Sequence, residues 1–230
     1  MTRLPWHNIE TVLLDMDGTL LDLHFDNQFW LELIPQKLAI RSGKSIEICK
    51  QELEALYAKV HGQLEWYCLD YWAKTLDLDI VAAKQELKHL IEMRKDTIPF
   101  LVALRQSGRQ VILVTNAHPE SLRLKVEQTQ LDQYVDMLIS SHEFGVSKES
   151  QSFWQKLHNK LLFRPEHTLF VDDSERILDA ASEYGIKYTL GITNPDSKKD
   201  ENVMSRHLHI NDYALIADSI ISDNFVGASK

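Results

Sequence analysis

Short apolar runs recur along the chain, and each is too short to form a helix of ordinary length. They consist mostly of Val, Ile, Leu, Phe and Tyr, which is typical of strands that are buried on both faces of a parallel sheet. The runs predict five strands, at residues 11–14, 110–114, 136–140, 167–171 and 186–192.

Amphipathic helical patterns alternate with these runs, at residues 97–106, 119–130, 147–161 and 174–184. Strands and helices that alternate with short connections form a parallel sheet covered by helices on both faces, with right-handed crossovers. The pattern therefore predicts an α/β fold with a Rossmann-like core.

One long segment interrupts this alternation after the first strand. Residues 25–95 contain no strand-like run and show only amphipathic helical spacing, as at Ile46, Cys49, Leu53 and Val60. We predict a helical domain inserted at residues 25–95, with residues 1–24 and 96–230 forming the core.

Composition limits the possible partners. The chain has 230 residues, 44% of them hydrophobic, and a formal charge of −9, which opposes binding to nucleic acid or anionic membranes. No segment approaches the roughly 18 apolar residues that cross a bilayer. Two cysteines, Cys49 and Cys68, are too few for a disulfide framework. We expect a cytoplasmic protein without a leader peptide, a nucleic-acid partner or a membrane partner.

The first predicted strand leads directly into two acidic residues in the stretch VLLDMDGTLLD, residues 12–22. A parallel strand brings the residues after its last one to the carboxyl edge of the sheet, where open α/β folds bind ligands. Asp15 and Asp17 can converge there, and Gly18 allows a sharp turn with an exposed N–H group. An ordinary turn after a strand has the same pattern. The residues after the other strands therefore decide between a turn and a ligand site.

Polar residues also follow the next three predicted strands. Thr115 and Asn116 follow the second, Lys148 begins the helix after the third, and Asp172 and Asp173 follow the fourth. Each alone is explained by helix capping or by a solvated side chain. Together they place acids, a hydroxyl and a cation at one edge, which indicates a ligand site there that includes an anion site.

These positions resemble the four motifs of the haloacid dehalogenase superfamily of phosphohydrolases. The matches are DMDGT at residues 15–19, the strand that ends in Thr115, Lys148 within VSKES, and VDD at residues 171–173. The insert lies where members with a helical C1 cap carry it. Glu149 stands where many relatives have proline, which concerns only the local turn.

The resemblance implies a mechanism through an aspartyl-phosphate. Asp15 is the expected nucleophile, and Asp17 is the expected general acid and base. Mg²⁺ is expected on Asp15, the main-chain carbonyl of Asp17 and Asp173, with Asp172 supporting or sharing that role.

The phosphoryl oxygens are expected to bind Thr115, Lys148 and the N–H groups near Gly18 and Asn116.

Histidines offer two further candidates. His207 and His209 are one residue apart but lack a third ligand at good spacing, so we do not expect a zinc site there. His118, two residues beyond Asn116, either faces the pocket or is a solvated residue at a helix start.

Aromatic residues are concentrated in the insert. The stretch LEWYCLDYW, residues 64–72, is interpreted as one helix on which Tyr67 and Tyr71 share a face. With Trp30, these side chains either pack the core of the insert or form a stacking wall for a base.

At a finer level the chain resembles the bacterial GMP/IMP nucleotidases of this superfamily. The matching stretches extend beyond what phosphatase chemistry needs, and they are VLLDMDGTLLDLHFDNQFW, WYCLDYW, DTIPFL, VTNAHP, LFVDDSERILDAA and GITNPDS. The implied substrate is a purine nucleoside 5′-monophosphate.

Other activities stay open on the sequence alone. A phosphatase of a sugar phosphate or of phosphoglycolate and a phosphomutase share every motif, and a phosphate-sensing module keeps the fold without turnover. Hydrolytic dehalogenases of the superfamily lack the aspartate that Asp17 matches, and they use no metal. The presence of Asp17 therefore excludes that activity here.

Overall fold

A computed structural model describes residues 4–223, and within them six parallel strands form a single sheet. The sheet order is β3-β2-β1-β4-β5-β6, which confirms the predicted α/β, Rossmann-like core. The strands are β1 (Thr11–Leu14), β2 (Gln110–Thr115), β3 (Met137–Ser140), β4 (Thr168–Asp172), β5 (Tyr188–Ile192) and β6 (Leu208–Ile210). The edge strand β6 was not predicted, because its three residues are too few to show a period.

Helices fill the connections between the strands. Six follow β1, namely α1 (His24–Gln28), α2 (Ile34–Ser42), α3 (Ile46–Val60), α4 (Leu64–Tyr67), α5 (Leu69–Leu76) and α6 (Ile80–Glu86). The rest of the described chain carries α7 (Thr97–Gln106), α8 (Pro119–Thr129), α9 (Gln151–Leu161), α10 (Glu175–Tyr184) and α11 (Ala214–Ser222). None of the described helices is both long and apolar enough to span a membrane.

Alternate residues of β1 face two hydrophobic clusters. Val12 and Leu14 pack with residues of α7, α8 and α11 on one face of the sheet. Leu13 packs with residues of α9 and α10 on the other. Since successive side chains of a strand point to opposite faces, both faces are covered and the strand reads as continuously apolar.

The helices between β1 and α7, which we call the cap, pack around a third cluster that includes Phe29, Leu53 and Trp72. Side chains fix two of the helix starts, since Ser45 Oγ accepts from Ile48 N and Asp79 Oδ1 accepts from Ala82 N. The predicted boundaries at residues 25 and 95 stay a prediction.

Two short segments connect the cap to the core side by side. Asp22 N donates to Glu92 O at 3.0 Å, and Arg94 N donates to Leu20 O at 3.0 Å. Leu21 and Met93 form an antiparallel bridge between these bonds.

The sequence interpretation was wrong about two helices. Residues 64–76 do not form one helix, because the chain is extended at Cys68 (φ −85°, ψ 112°), so Tyr67 and Tyr71 do not share a face. The helix predicted from residue 147 begins at Gln151, where Ser150 caps it. Lys148 therefore lies in the preceding turn.

The chain near the C-terminus supports the loop after β1. Tyr213, which precedes α11, stacks on Phe100 with ring centroids 3.9 Å apart, and its hydroxyl donates to Thr19 O at 3.1 Å. The tyrosine is 1% exposed, so this contact ties the DMDGT loop to the core.

Removing the Tyr213 hydroxyl should destabilise the protein modestly. Tyr213→Phe leaves a buried carbonyl without its donor and should lower the free energy of unfolding by about 1 kcal/mol. Tyr213→Ala also removes the stacked ring and should cost about 3 to 5 kcal/mol. Urea unfolding followed by circular dichroism measures both. Tyr188→Phe, on a half-buried tyrosine, is the control; equal stability of Tyr213→Phe and wild type contradicts the assignment.

Candidate active site

The polar strand ends meet at the carboxyl edge of the sheet beside β1. Leu14 pairs with Leu113 of β2 and with Val171 of β4, so the following residue, Asp15, lies in line with Asp172. The chain leaves β1 toward β2 on one side and later returns to β4 on the other. Such a reversal opens a crevice outside the strand ends.

Lys148 lies between two of the carboxylates at this edge. Its Nζ donates to Asp15 Oδ1, to Asp172 Oδ2 at 2.8 Å and to Val114 O at 3.2 Å, and the residue is 1% exposed. Burial opposes its charge, but Asp15 and Asp172 outweigh burial and raise the pKa of Lys148. Lys148 reaches this edge of the sheet from the turn before α9.

Three carboxylates, those of Asp15, Asp172 and Asp173, each bring one oxygen within 4.8 Å of the others. Burial raises the pKa of Asp15 to about 6, with Lys148 opposing the shift and Asp172 adding to it. Burial and the charges of Asp172 and Asp15 also raise the pKa of Asp173 well above its ordinary value. One lysine cannot balance three carboxylates, and an all-oxygen donor set fits a hard divalent cation.

The carboxylate of Asp172 is already engaged on both oxygens. Oδ2 accepts from Lys148 and Oδ1 accepts from Ser174 N at 2.8 Å. These bonds hold Asp172 in place, and Asp173 is left with more freedom to bind a ligand.

Gly18 makes the predicted sharp turn and is also needed for space. A Cβ at this position would lie 2.6 Å from Asp173 Oδ2, and the backbone has φ +81°, which favours glycine. Its N–H donates to Leu21 O at 2.8 Å. The prediction of an exposed N–H group at Gly18 is therefore wrong, since the turn itself uses that donor.

Thr115 and Asn116 follow β2 into the crevice. Thr115 Oγ1 accepts from Ala117 N at 3.0 Å, which leaves its hydroxyl proton for a substrate. Asn116 Oδ1 accepts from Lys148 N at 2.9 Å, and its Nδ2 donates to Glu149 Oε2 at 3.1 Å. The amide of Asn116 thus positions the lysine loop, and a substrate contact of its main chain stays a prediction.

Asp17 is held by a buried lysine that sequence reasoning missed. Lys125 Nζ, from α8, donates to Asp17 Oδ1 and to Asp26 Oδ2, both at 2.6 Å. Lys84 Nζ, from α6, donates to the other oxygen of Asp26 at 3.0 Å. The four groups form a chain of alternating charge that leads from the core into the cap.

Burial and the neighbouring charges together set the pKa values of the two acids in this chain. Burial raises the pKa of Asp17 to about 6, with Lys125 opposing the shift and Asp26 adding to it. Burial also opposes the charge of Asp26, but Lys125 and Lys84 outweigh it and lower the pKa of Asp26 to about 2.

A weak sequence signal could have located Lys125. The buried positions of α8 are Ser121, Leu124 and Lys125. Lys125 therefore lies on the buried face of its own helix. A cation on an apolar face is buried only when it is paired. Nothing local identifies its partners, because Asp17 is 108 residues away in the sequence.

A cavity of about 440 Å³ opens above these groups, between the core and the cap. This volume is typical of small-molecule sites. Its core side carries the predicted residues Asp15, Asp17, Thr115, Asn116 and Lys148, together with Asp172 and Asp173. Its cap side includes five aromatic residues, Trp30, Tyr57, Trp66, Tyr67 and Trp72.

The aromatic side chains pack the core of the cap and also line the cavity, and their stacking on a base stays a prediction. Tyr57 packs edge-on against Trp66 and Trp72, with ring centroids 5.2 and 5.1 Å apart, and Trp72 is 1% exposed. Trp30, Tyr57 and Trp66 are only half-buried and line the cavity. Tyr67 reaches the core, where its hydroxyl donates to Glu149 Oε1 at 2.8 Å.

Of the histidines, His118 lines the cavity and caps α8 with Nδ1, which accepts from Glu120 N at 3.3 Å. His207 binds Thr189 and Asp179, and His209 binds the main chain of His207. Neither belongs to the groups of metal-ligating side chains found within the described residues.

A sequence profile of the haloacid dehalogenase-like hydrolases matches residues 9–185. The chain belongs to this haloacid dehalogenase-like hydrolase family. GMP/IMP nucleotidase YrfG of Escherichia coli (strain K12) is 47% identical over 219 residues, or 95% of this chain and 99% of the nucleotidase. Phosphoglycolate phosphatase of Aquifex aeolicus (strain VF5) is 25% identical over 187 residues, or 80% of this chain and 85% of the phosphatase.

Among solved structures, an HAD phosphatase from Thermococcus onnurineus has a TM-score of 0.76 at 23% identity, covering 95% of this chain and 100% of the other. This similarity shows the fold. Both resemblances drawn from the sequence, to the haloacid dehalogenase superfamily and to its GMP/IMP nucleotidases, are confirmed.

Removing the charge of Lys125 should impair this hydrolase and also destabilise it, since Asp17 and Asp26 lose the cation buried between them. Circular dichroism checks that the variant is folded in the assay. Lys125→Met keeps the length of the side chain but frees Asp17 to move, so kcat should fall roughly 10- to 100-fold with a smaller change in KM. Steady-state release of phosphate measures both constants. Lys74→Met, on an exposed lysine of the cap, is the matched control. A wild-type kcat in the Lys125 variant contradicts the role of this lysine.

Proposed function

We propose that this chain is a Mg²⁺-dependent phosphatase that hydrolyses purine nucleoside 5′-monophosphates, with GMP and IMP as substrates. The geometry of the cavity carries the proposal, because the groups expected to bind phosphate line its core side and half-buried aromatic rings line its cap side. The 47% identity to a GMP/IMP nucleotidase over nearly the full length of both chains supports it.

In this proposal Asp15 is the nucleophile. One oxygen of its carboxylate attacks phosphorus, the bond to the nucleoside 5′-oxygen breaks, and an aspartyl-phosphate forms. Lys148 and Thr115 bind the phosphoryl oxygens and offset the charge that gathers there. Water then attacks phosphorus, which releases inorganic phosphate and restores the Asp15 carboxylate.

Asp17 is proposed to move the protons. Its protonated form gives a proton to the leaving 5′-oxygen, and the resulting carboxylate later takes one from the attacking water. A pKa near 6 allows both forms close to neutral pH. Lys125 orients the carboxylate toward the cavity through Oδ1.

Mg²⁺ would be held by Asp15, the main-chain carbonyl of Asp17 and Asp173. Bound there, it supplies positive charge that lets an anionic carboxylate approach a phosphate dianion. Asp172 would orient Lys148 beside the metal and would not bind the ion itself, because both of its oxygens already accept hydrogen bonds.

The purine is proposed to stack against the aromatic wall of the cap. The groups of the core at the cavity floor can recognise only phosphate and metal, so selection among monophosphates falls to the cap. Among the donors that line the cap side are Lys84 and His61, which suit a 6-oxo group that accepts hydrogen bonds. The cytoplasmic location and the absence of nucleic-acid or membrane partners stay predictions.

Loss of the nucleophile or of the metal should abolish turnover. Asp15→Asn removes the attacking charge and a metal ligand, so kcat should fall on the order of 10⁴-fold or more. EDTA should stop the wild-type enzyme, and added Mg²⁺ should restore it. Phosphate release measures both effects, with circular dichroism as the check on folding. Full activity in chelator would rule out the metal-dependent mechanism.

The substrate preference should follow the 6-oxo group of the base. AMP carries an amino group there, which cannot accept a hydrogen bond from a cap donor and costs about 1 to 3 kcal/mol, or roughly 5- to 150-fold in kcat/KM. The measurement is kcat/KM for GMP, IMP, AMP, UMP, a sugar phosphate and phosphoglycolate at fixed Mg²⁺.

Three outcomes of this panel separate the candidate activities. GMP and IMP at the top support the nucleotidase. A sugar phosphate or phosphoglycolate that exceeds GMP tenfold overturns the nucleotidase assignment and leaves a phosphatase of another monoester. Turnover that depends on a sugar bisphosphate and releases no phosphate indicates a phosphomutase.

A further inference from the structure

A second group of metal-ligating side chains lies at the seam between cap and core. Cys68 comes from the extended residue between α4 and α5, His118 from the start of α8, and His142 from the 3₁₀ turn Ser141–Phe144. One ligand atom of each lies within 4.8 Å of the others. The catalytic chemistry described above uses none of the three side chains.

His142 has a ring nitrogen that is available to a ligand. Its Nε2 is buried and has no hydrogen-bond partner, while the main chain of Asn116 is a hydrogen-bond partner of its ring. Burial and the neighbouring His118 lower the pKa of His142 to about 4, so the ring is neutral at pH 7. A histidine that is oriented by a main-chain carbonyl on one nitrogen and open on the other is the usual form of a metal ligand.

His118 faces the same point from the core. Its ring lies edge-on to His142 with centroids 5.0 Å apart, and its Nε2 is 3.6 Å from Asp70 Oδ2. Binding a metal at Nε2 moves the ring proton to Nδ1 and so costs the long bond from Glu120 N. Asp70 is 85% exposed and free to swing inward as a further ligand.

We propose that Cys68, His118 and His142 form a second metal site, for a divalent cation of borderline softness such as Zn²⁺, with Asp70 or water as the fourth ligand. One thiolate and two imidazoles match the donors that zinc prefers. Tetrahedral zinc with bonds of about 2.0 to 2.3 Å separates its ligand atoms by roughly 3.3 to 3.7 Å. Since the present atoms lie within 4.8 Å of one another, they need to approach by at most about 1.5 Å.

This donor set distinguishes the second site from the carboxylate cluster. Mg²⁺ prefers oxygen ligands and binds weakly to sulfur and imidazole, so millimolar Mg²⁺ leaves the second site open to Zn²⁺. The two sites therefore bind different cations in the same protein.

The metal would tie the cap to the core, because Cys68 belongs to the cap and both histidines belong to the core. In the described structure, the contact of Tyr67 with Glu149 joins the same two parts nearby. Opening and closing of such lids limits turnover in many enzymes. Zn²⁺ at the seam is therefore expected to restrain the cap.

Cobalt spectroscopy of the whole protein tests the site, with Co²⁺ as the probe and excess Mg²⁺ filling the carboxylate cluster. The wild type should bind one Co²⁺ per chain with a thiolate-to-cobalt charge-transfer band and intense tetrahedral bands, and Zn²⁺ should displace it. Cys68→Ser should lose the charge-transfer band, and His142→Gln should weaken Co²⁺ binding roughly 100-fold. Cys49→Ser and His209→Gln are the matched controls and should bind as the wild type does.

The outcomes are decisive for the proposal. Absence of the band in the wild type, or an equal band in Cys68→Ser, overturns the site. Hydrogen exchange tests the tie separately: Zn²⁺ should slow exchange at residues 20–22 and 92–94 in the wild type but not in Cys68→Ser. Equal exchange with and without Zn²⁺ in the wild type contradicts the inference that the metal restrains the cap. None of these readouts depends on turnover, so a failure here is distinct from a failure of the nucleotidase assignment.

Discussion

The rest of the site depends on the ion pairs that the buried ammonium group of Lys148 makes with two carboxylates. This group joins Asp15 at the end of β1 to Asp172 at the end of β4, and so holds two neighbouring strand ends together. Removing one partner of a buried charge pair typically costs about 3 to 5 kcal/mol, because the other charge is left without compensation. The lysine serves stability and chemistry with the same contact.

The charges around this lysine do not cancel, and that imbalance explains how the site can work. Three carboxylates share one cation at the core, and burial keeps their pKa values high. A site of this kind is poised to gain positive charge, either as protons or as a metal ion. By contrast, Asp17 and Asp26 share two lysines, so Asp17 is oriented without being neutralised by a metal.

The cap completes the cavity with surfaces that the core cannot supply. Its aromatic rings pack against one another and still expose faces to the cavity, so one cluster both stabilises the cap and lines the site. The break at Cys68 makes this arrangement possible, because it turns Tyr67 toward Glu149 of the core and leaves Trp72 inside the cap. It also places the Cys68 thiol at the seam.

The sequence by itself determined the parallel sheet, the helical insert and the cluster of Asp15, Thr115, Lys148 and Asp172, because each depends on local period and on the rule that parallel strands end at one edge. Only the tertiary structure decided the contacts that join distant segments: Lys125 with Asp17, Tyr213 with Thr19, and His142 beside Cys68. Such pairs are set by packing between elements, which no local pattern records. The helix break at Cys68 was missed for the same reason, since tertiary contacts overrode a regular helical pattern.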